Sequence, residues 1–232
     1  MIKILSFNIH GGYDRSGTRD LKRVHDMMQD LEIDIGVFQE METRASRGGA
    51  AGDIEILAGA ERPHRLPGLA MKEGEGWYGN LIVSRYPLAR GLVHNLESKR
   101  SFEPRNAVDT LIQTPLGNIR IIGTHLSLTP WERWSELHNL VSLMDKVEEN
   151  EKNPLLLMGD INEWRPASRL LKHLNQLMTS APCDKSFPSS FPLFRLDRVW
   201  HDHCPFTVAA KTIRDKKSRH FSDHLPVLVT LG

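Results

Sequence analysis

The chain has 232 residues, of which 40% are hydrophobic and 25% are charged, values typical of a globular protein with a substantial core. Its 30 Lys and Arg residues balance 29 Asp and Glu residues, which leaves a formal net charge of +1. This balance excludes a protein-wide basic field of the kind that drives bulk nucleic-acid binding, so any contact with a polyanion must come from a local patch.

The sequence also indicates the compartment. No apolar run approaches the ~20 residues of a membrane-spanning helix. The N-terminal residues 1–12 do not resemble a signal peptide, because polar residues such as Lys3 and Ser6 interrupt their short apolar stretch. Cys183 and Cys204 are too few for a disulfide framework and are interpreted as reduced thiols. We therefore expect a cytoplasmic protein, and we expect it to be a monomer.

The first forty residues predict a strand–helix–strand unit. Residues 2–9 form a nearly continuous apolar run, which is typical of a strand buried on both faces, and residues 33–40 repeat the pattern. Between them, residues 18–32 space their apolar side chains as a helix does, with Thr18 or Asp20 as a possible N-cap.

Further strands are predicted over residues 79–88, 106–114 and 118–128, the last two joined by a hairpin turn. The glycine-rich residues 46–53 could suggest a phosphate cradle, but a solvent-exposed loop is the better interpretation, because no helix-opening pattern follows them.

The clearest helix spans residues 129–150. Thr129 and Glu132 predict a capping box and Pro130 occupies the first helical position. Its predicted buried stripe consists of Trp134, Leu137, Leu140, Val141 and Met144. The remaining predicted elements are a strand within 154–162, a helix over 167–177, and strands over 194–201, 206–213 and 225–231. Together these elements predict two sheets packed face to face with helices outside, in one domain over residues 1–232.

Polar residues interrupt these apolar strands near their ends. Acidic and histidine side chains are rarely buried without partners, so a series of them predicts a common polar site. Asp160 and Asn162 follow one strand and are expected to point the same way, since a strand alternates its faces. The full series is Asn8, Gln39, Glu40, His125, Asp160, Asn162, Asp197, Asp223 and His224.

The chemical types in this series indicate phosphoester hydrolysis. Carboxylate and amide oxygens are hard donors that suit Mg²⁺ or Mn²⁺ better than zinc. His125 and His224 are available for proton transfer or for hydrogen bonds to an anion. Each short motif alone could equally be a cap or a turn, whereas all of them in order make that interpretation improbable.

The ordered motifs "SFNIH", "QE", "GTHLS", "GDINE", "LDRVW" and "SDHLPV" resemble the endonuclease/exonuclease/phosphatase superfamily from Ile2 to Val229. The resemblance implies the deoxyribonuclease I-like fold, an α/β (α+β) four-layer sandwich of two mostly antiparallel sheets flanked by helices. It also implies Mg²⁺ or Mn²⁺ as cofactor and a phosphoester as substrate. The sequence has "GTHLS" where the apurinic-site endonucleases carry an asparagine-containing block, which argues against abasic-site repair.

Carried over residue by residue, the resemblance implies three groups of site residues. The metal ligands are Glu40, Asn8 and Asp223. The catalytic residues are Asp160, which orients or deprotonates the attacking water, Asn162 and His125, which bind the phosphate, and His224 with its partner Asp197. Arg105 matches a position that supports the phosphate, although a surface arginine is an equally ordinary interpretation. Trp164 is a further candidate for substrate contact.

Three other features are ambiguous. Residues 201–204, "HDHC", look like a metal cluster, but a polar loop is the better interpretation. Trp131 could flank the site, yet tryptophans mostly serve packing. Residues 195–220 carry seven basic and three acidic residues, a net +4 that could attract a phosphorylated substrate or form an ordinary solvated surface.

The predicted function is a metal-dependent phosphoesterase, with a phosphodiesterase favoured. Nucleic acid, a phospholipid head group and a small phosphodiester all remain open as substrates, because the fold does not choose between them. The alternatives are a phosphomonoesterase acting on inositol or sugar phosphates and a catalytically inactive binding module on the same fold.

Overall fold

Two six-stranded β-sheets form the middle of the structure. This computed structural model describes residues 1–97, 102–148 and 152–232, without the side chains of residues 145–148. The strands are β1 Ile2–Asn8, β2 Ile35–Glu42, β3 His64–Glu73, β4 Gly76–Ser84, β5 Leu88–Asn95, β6 Asn106–Thr114, β7 Gly117–His125, β8 Leu155–Asp160, β9 Thr179–Ala181, β10 Asp197–Asp202, β11 Val208–Thr212 and β12 Val227–Leu231. The helices are α1 Lys22–Asp30, α2 Asp53–Ala58, α3 Pro130–Glu148, α4 Arg169–Leu177 and α5 Ser218–Phe221, with 3₁₀ turns at His10–Gly12 and Ala45–Arg47.

The two sheets have matching layouts. The first has the strand order β11-β12-β1-β2-β4-β3, and the second has the order β5-β6-β7-β8-β10-β9. Only β1 with β2 and β7 with β8 run parallel among the pairs of named strands, and the others are antiparallel. The prediction of two mostly antiparallel sheets flanked by helices is therefore confirmed.

Apolar strands buried on both faces create three core layers. Between the sheets pack residues such as Ile4, Val37 and Leu156. Outside the first sheet, alternate residues of the same strands pack against α1 and α2, and outside the second sheet they pack against α3 and α4. The near-continuous apolar runs seen in the sequence follow from this arrangement, since a strand with a sheet behind it and a helix in front has no solvent face.

The two parallel pairs place the functional edge. Because parallel strands end at the same edge of a sheet, β1 and β2 end together near Asn8 and Glu40. In the second sheet, His125 at the end of β7 pairs with Asp160 at the end of β8. Asp197 begins the antiparallel β10 directly opposite Asp160.

Several local predictions were wrong. Trp134 was predicted to be buried in the stripe of α3, but it is 39% exposed and packs on His138 instead. Glu132, predicted to close a capping box, accepts a hydrogen bond from the backbone N–H of Phe102. The predicted loop 46–53 begins with the end of a 3₁₀ turn, and α2 starts within it at Asp53. The last two residues of the predicted helix 129–150 lie outside the described residues.

The structure also reports on the cysteines and on membrane spans. Cys183 is buried and Cys204 is partly buried, and both carry free thiols. No helix within the described ranges is long and apolar enough to cross a membrane.

Gly159 is required by the close packing of β8 against β7. Its φ is +142°, and a Cβ at this position would collide with the carbonyl oxygen of Thr124. We expect Gly159→Ala to lower the free energy of unfolding by more than about 3 kcal/mol, measured by urea denaturation. Gly117→Ala is the matched control, because Gly117 also has a positive φ, +97°, but open space around it. An equal loss in both variants would contradict the steric explanation.

Candidate active site

The predicted site residues converge at the edge where the two parallel strand pairs end. The first sheet contributes Asn8 and Glu40, and the second contributes His125 and Asp160. The amide Nδ2 of Asn8 joins the two halves, since it donates hydrogen bonds to Glu40 Oε1 at 2.8 Å and to Asp160 Oδ2 at 3.1 Å. The site therefore depends on the packing of one sheet on the other.

A β-bulge directs Glu40 towards this edge. The pairing of β2 with β4 shifts between Phe38 and Met41, and Glu40 has a φ of +58°. A bulge re-aims the side chain that it carries, and a positive φ on a residue other than glycine is uncommon and recurs at functional sites. Local backbone strain thus brings the Glu40 carboxylate beside Asn8.

Asp160 and Asn162 both reach the pocket, but not for the predicted reason. Strand β8 ends at Asp160, and Asn162 lies beyond it with a φ of +51°. The backbone N–H of Asn162 donates to Asp160 Oδ1 at 2.9 Å, the hydrogen bond of an Asx turn. This turn therefore directs the side chains of Asp160 and Asn162 into the same pocket. The alternation of a strand was the wrong explanation, because Asn162 lies beyond the end of β8.

The carboxylate of Asp160 lies at the centre of the site. Besides the bonds from Asn8 and Asn162, its Oδ2 is 3.6 Å from His125 Nε2 and 3.5 Å from His224 Nε2. Burial raises the pKa of Asp160 to about 6, against the lowering effect of His224. A carboxylate with a pKa in this range can accept a proton near neutral pH.

His224 is held by Asp197. The Nδ1 of His224 donates to Asp197 Oδ2 at 2.8 Å, and this fixes Nε2 towards Asp160. Burial alone would lower the pKa of His224, but the carboxylates of Asp197 and Asp160 outweigh it and raise the pKa to about 10. The ring is therefore an imidazolium at neutral pH, with one N–H anchored and the other facing the pocket.

The pKa of His125 is shifted in the opposite direction from that of His224. Burial and the nearby Arg105 guanidinium hold the pKa of His125 well below its usual range, so the ring is neutral. Because a guanidinium only donates, Nδ1 of His125 accepts from Arg105 Nη1 at 3.0 Å and the ring proton is on Nε2. Arg105, predicted to contact substrate, is buried behind His125, where Glu103 Oε2 holds its other arm at 2.7 Å.

Two N–H donors meet beside Asp160. The amide of Asn162 donates one hydrogen to the carbonyl oxygen of Leu126 at 2.8 Å, which leaves its second hydrogen near His125 Nε2, 3.1 Å from the amide nitrogen. Two donors cannot bond each other, but both can bond one anionic oxygen that lies to one side, within hydrogen-bond distance of each nitrogen. The geometry suits a phosphoryl oxygen.

Of the residues predicted to hold a metal, Glu40 and Asp223 carry carboxylate oxygens, whereas Asn8 turns its Nδ2 towards Glu40 and its Oδ1 accepts from the backbone N–H of His10 at 3.1 Å. Burial and the nearby Asp223 carboxylate raise the pKa of Glu40, against the hydrogen bond from Asn8. A carboxylate destabilised in this way gains from a divalent cation, and oxygen donors are the ligands that Mg²⁺ and Mn²⁺ prefer. Asp223, half-buried, lies next to His224 in the chain, and its Oδ1 is 3.1 Å from Ser222 Oγ.

Among the described residues, one group of acidic and histidine side chains has ligand atoms within 4.8 Å of one another: Asp160, Asp197 and His224. We interpret this group as a hydrogen-bonded triad and not as a metal centre, because an imidazolium between two carboxylates has no free lone pair for a cation. The metal is therefore expected on the Glu40 side of the pocket.

A groove of about 670 Å³ opens beside Glu40. Its walls include Tyr13, Arg44 and Tyr78, and the Arg44 guanidinium lies 5.3 Å from the Tyr78 ring. Arg44 is also paired with Glu42 at 2.6 Å, so its charge is largely offset within the protein. The groove gives the metal-ligand side of the site direct access to solvent.

The ambiguous segments are now placed. Trp164 and Trp131 are both partly exposed, near the site in the chain. His201 and Asp202 end strand β10, and they belong to no metal-type cluster among the described residues, so the segment 201–204 is only partly a loop. Most basic side chains of residues 195–220 are exposed.

Two supporting residues were missed. Ser222 Oγ donates to the carbonyl oxygen of Asn8 at 2.8 Å and accepts from the backbone N–H of His224 at 3.2 Å, tying the first sheet to the histidine. The ring of Phe187 packs 4.8 Å from that of His224. Ser222 belongs to the motif "SDH", so its position next to the site could have been predicted from the sequence. The residues around Phe187 gave no indication that its ring would contact His224.

Comparisons with known proteins bear on the family and the fold of the chain. The model of the Endonuclease/Exonuclease/phosphatase family matches residues 5–224. The uncharacterized protein YbhP of Escherichia coli strain K12 is 28% identical, in a match that covers 97% of this chain and 94% of YbhP.

Two solved structures show the same fold at low sequence identity. A mannosyl-6-phosphatase from Bacteroides thetaiotaomicron is 17% identical with a TM-score of 0.80, covering 100% of both chains. A double mutant of beta toxin from Staphylococcus aureus, solved with bound magnesium ions, is 17% identical with a TM-score of 0.75, covering 98% of both chains.

Proposed function

Because the chain belongs to the Endonuclease/Exonuclease/phosphatase family, we propose that it is a metal-dependent phosphoesterase, and specifically a phosphodiesterase. The observation that carries the proposal is the position of the Asp160 carboxylate, which meets the His224 imidazolium, His125 and the Asn8–Glu40 pair in one pocket. The substrate classes remain a nucleic acid, a phospholipid and a small phosphodiester.

In the proposed reaction Asp160 takes a proton from the attacking water. The water oxygen forms a bond to phosphorus, and the P–O bond to the leaving group breaks. The pKa of about 6 keeps Asp160 largely ionised above neutral pH while leaving it basic enough to accept the proton. Asn162, which holds Asp160 Oδ1 through its backbone N–H, fixes the carboxylate for this role.

The two histidines have different proposed roles. His224, cationic and anchored by Asp197, gives its Nε2 proton to the leaving oxygen or stabilises the charge that develops on it. His125, neutral, donates from Nε2 to a non-bridging oxygen together with the amide of Asn162. Arg105 acts through His125 as a positioning residue, since its Nη1 donates a hydrogen bond to Nδ1 of that ring.

Glu40, Asn8 and Asp223 are proposed to hold Mg²⁺ or Mn²⁺. The ion would offset phosphate charge and polarise the P–O bond. The magnesium-bound beta toxin structure supports a divalent ion on this fold. Burial and the Asp223 carboxylate raise the pKa of Glu40, so a bound cation would stabilise its ionised form.

The remaining expectations stay proposals. We treat residues 1–232 as one catalytic domain, which the shared core between the sheets and the two-sheet site support. Monomeric state and cytoplasmic location rest on sequence composition alone.

The first test is hydrolysis of bis-p-nitrophenyl phosphate against p-nitrophenyl phosphate, with Mg²⁺, Mn²⁺ or EDTA. We expect metal-dependent turnover that favours the diester. Preference for the monoester would select the phosphomonoesterase alternative, which the mannosyl-6-phosphatase neighbour supports. A lack of turnover on both esters, and on plasmid DNA, RNA and phospholipid, would overturn the enzyme proposal in favour of a binding module.

Glu40→Gln tests the metal assignment. Removing the carboxylate charge is expected to raise the Mn²⁺ concentration needed for half-maximal turnover by about 10- to 100-fold, because the amide is a weaker ligand. Glu55→Gln is the control, since Glu55 lies on α2 and its carboxylate pairs with Arg65. An unchanged metal requirement in Glu40→Gln would place the ion elsewhere.

A further inference from the structure

Six large apolar side chains stand exposed around the site. We call them the apolar rim, and they are Phe102, Leu128, Trp131, Trp164, Phe191 and Leu193. Phe102, Phe191 and Leu128 are 85%, 71% and 64% exposed. Several large apolar side chains exposed on segments that flank one site are unfavourable in water and are typical of a binding surface.

Each part of the apolar rim lies on a segment that also carries a catalytic or positioning residue. Phe102 precedes Arg105, and Leu128 follows His125 by three residues. Trp164 follows Asn162 by two residues, and Leu193 precedes Asp197 by four. The rim therefore follows the mouth of the pocket on the side of the second sheet.

Ring contacts connect the apolar rim to the catalytic histidine. Trp164 packs on Phe194 with ring centroids 4.7 Å apart and on Phe187 at 5.5 Å. Phe187 in turn lies 4.8 Å from the ring of His224. At the other end Phe102 and Trp131 meet edge to face at 6.5 Å.

Basic side chains accompany the apolar rim. Arg165 follows Trp164, and its side chain is 70% exposed. Arg195 and Arg219 are also exposed, and Arg219 lies beside the loop of Phe191 because its carbonyl oxygen accepts a hydrogen bond from Ser189 Oγ at 3.1 Å. Exposed cations next to exposed apolar groups complement the surface of an anionic phospholipid membrane.

The chemistry of the apolar rim favours a lipid surface over a nucleic acid. Single-stranded nucleic acids bind to flat aromatic rings on which bases stack. The rim includes the aliphatic side chains Leu128 and Leu193, which offer no stacking face but bury well at the boundary of head groups and acyl chains. Trp131 and Trp164 are the residue type that prefers that boundary.

We propose that the apolar rim docks onto an anionic phospholipid membrane and that the substrate is a phospholipid phosphodiester of that surface. The inference rests on the proposed function for the substrate, while docking itself is independent of turnover. Docking places the phosphate of a head group at the mouth of the pocket, where His125, Asn162 and His224 lie.

The test is co-sedimentation of the full chain with vesicles of equal parts phosphatidylcholine and phosphatidylglycerol. Phe191→Ser and Phe102→Ser are expected to weaken vesicle binding by about tenfold or more. Ile56→Ser and Leu92→Ser are controls, since they remove apolar side chains that are 49% and 40% exposed on α2 and β5, away from the rim, and should bind as the wild-type chain does. Arg219→Gln is expected to weaken binding to these vesicles but not to phosphatidylcholine alone.

Several outcomes would overturn the proposal. These are no vesicle binding by the wild-type chain, equal losses in the rim and control variants, or rim-dependent self-association or DNA binding in place of vesicle binding. Turnover of bis-p-nitrophenyl phosphate by the wild-type chain is measured without vesicles and reports on the proposed function alone. A chain that hydrolyses this diester and binds vesicles, yet releases no head group from them, would overturn the substrate class.

Discussion

Asp160→Asn is expected to lower the turnover of bis-p-nitrophenyl phosphate by about 10³-fold or more, because the amide cannot accept a proton from water. The two side chains have nearly the same shape, and the hydrogen bond from the backbone of Asn162 can be kept by an amide oxygen. The loss should therefore appear in kcat, with a smaller change in KM.

The same variant should keep nearly the stability of the wild-type chain. Burial raises the pKa of Asp160, which means that the ionised carboxylate is disfavoured in the folded protein. A neutral isostere removes this cost but turns an amide nitrogen towards the Asn8 Nδ2 donor, so the free energy of unfolding at neutral pH is expected to change by less than about 2 kcal/mol. Urea denaturation of both proteins measures it.

Asp34→Asn is the control for this pair of measurements. Asp34 is also a buried carboxylate, but it lies at the other end of the sheet, where it accepts a hydrogen bond from the backbone N–H of Lys3 at 2.9 Å. It should keep full turnover. If Asp160→Asn kept more than a tenth of wild-type turnover, the base would have to be another group.

The sequence predicted the elements that lie in the middle of the sheets. β1, β2 and β8 have both faces covered, so their apolar runs are unambiguous, and the polar residues that end them stand out. For this reason the strand ends that bring Asn8, Glu40 and Asp160 together could be located without a structure.

Edge elements were missed because their surroundings differ. β3 is only partly buried, contains Pro67 and Gly68, and has no apolar alternation to detect. β5 is likewise mostly exposed. Trp134 has an apolar side chain at helical spacing, yet its surroundings are His138 and His173 and not the core. An apolar pattern correctly predicts which face of a helix or strand is buried only when another element packs against that face.

Residue roles were harder to predict than residue positions. Arg105 is expected at the substrate, which stays a prediction, and the sequence did not indicate that this buried arginine would bond His125 and Glu103. Glu40 reaches the site because of a β-bulge, and no sequence pattern near Glu40 predicts this bulge. Both depend on contacts between distant segments, which local sequence patterns do not encode.

Asp197→Asn is expected to lower kcat by about 10²-fold with little change in KM, because Asp197 holds His224 in place and its charge also helps to raise the pKa of the base Asp160. The carboxylate fixes the Nδ1 proton of His224 and helps to keep the ring charged. An amide keeps the volume but removes the charge, so the pKa of His224 should fall. Titration of the His224 ring by NMR in EDTA measures this fall directly.

The two readouts together separate positioning from a purely structural role. A structural role predicts a lower free energy of unfolding, with the kcat of the remaining folded fraction and the His224 titration both unchanged. A positioning role predicts that kcat and the His224 pKa fall together in a chain that stays folded. Asp202→Asn, at the far end of the same strand, is the control for local disturbance of β10 and should change neither. A variant with a lowered His224 pKa and full kcat would show that the imidazolium is not needed, and the proton for the leaving oxygen would then have to come from another donor.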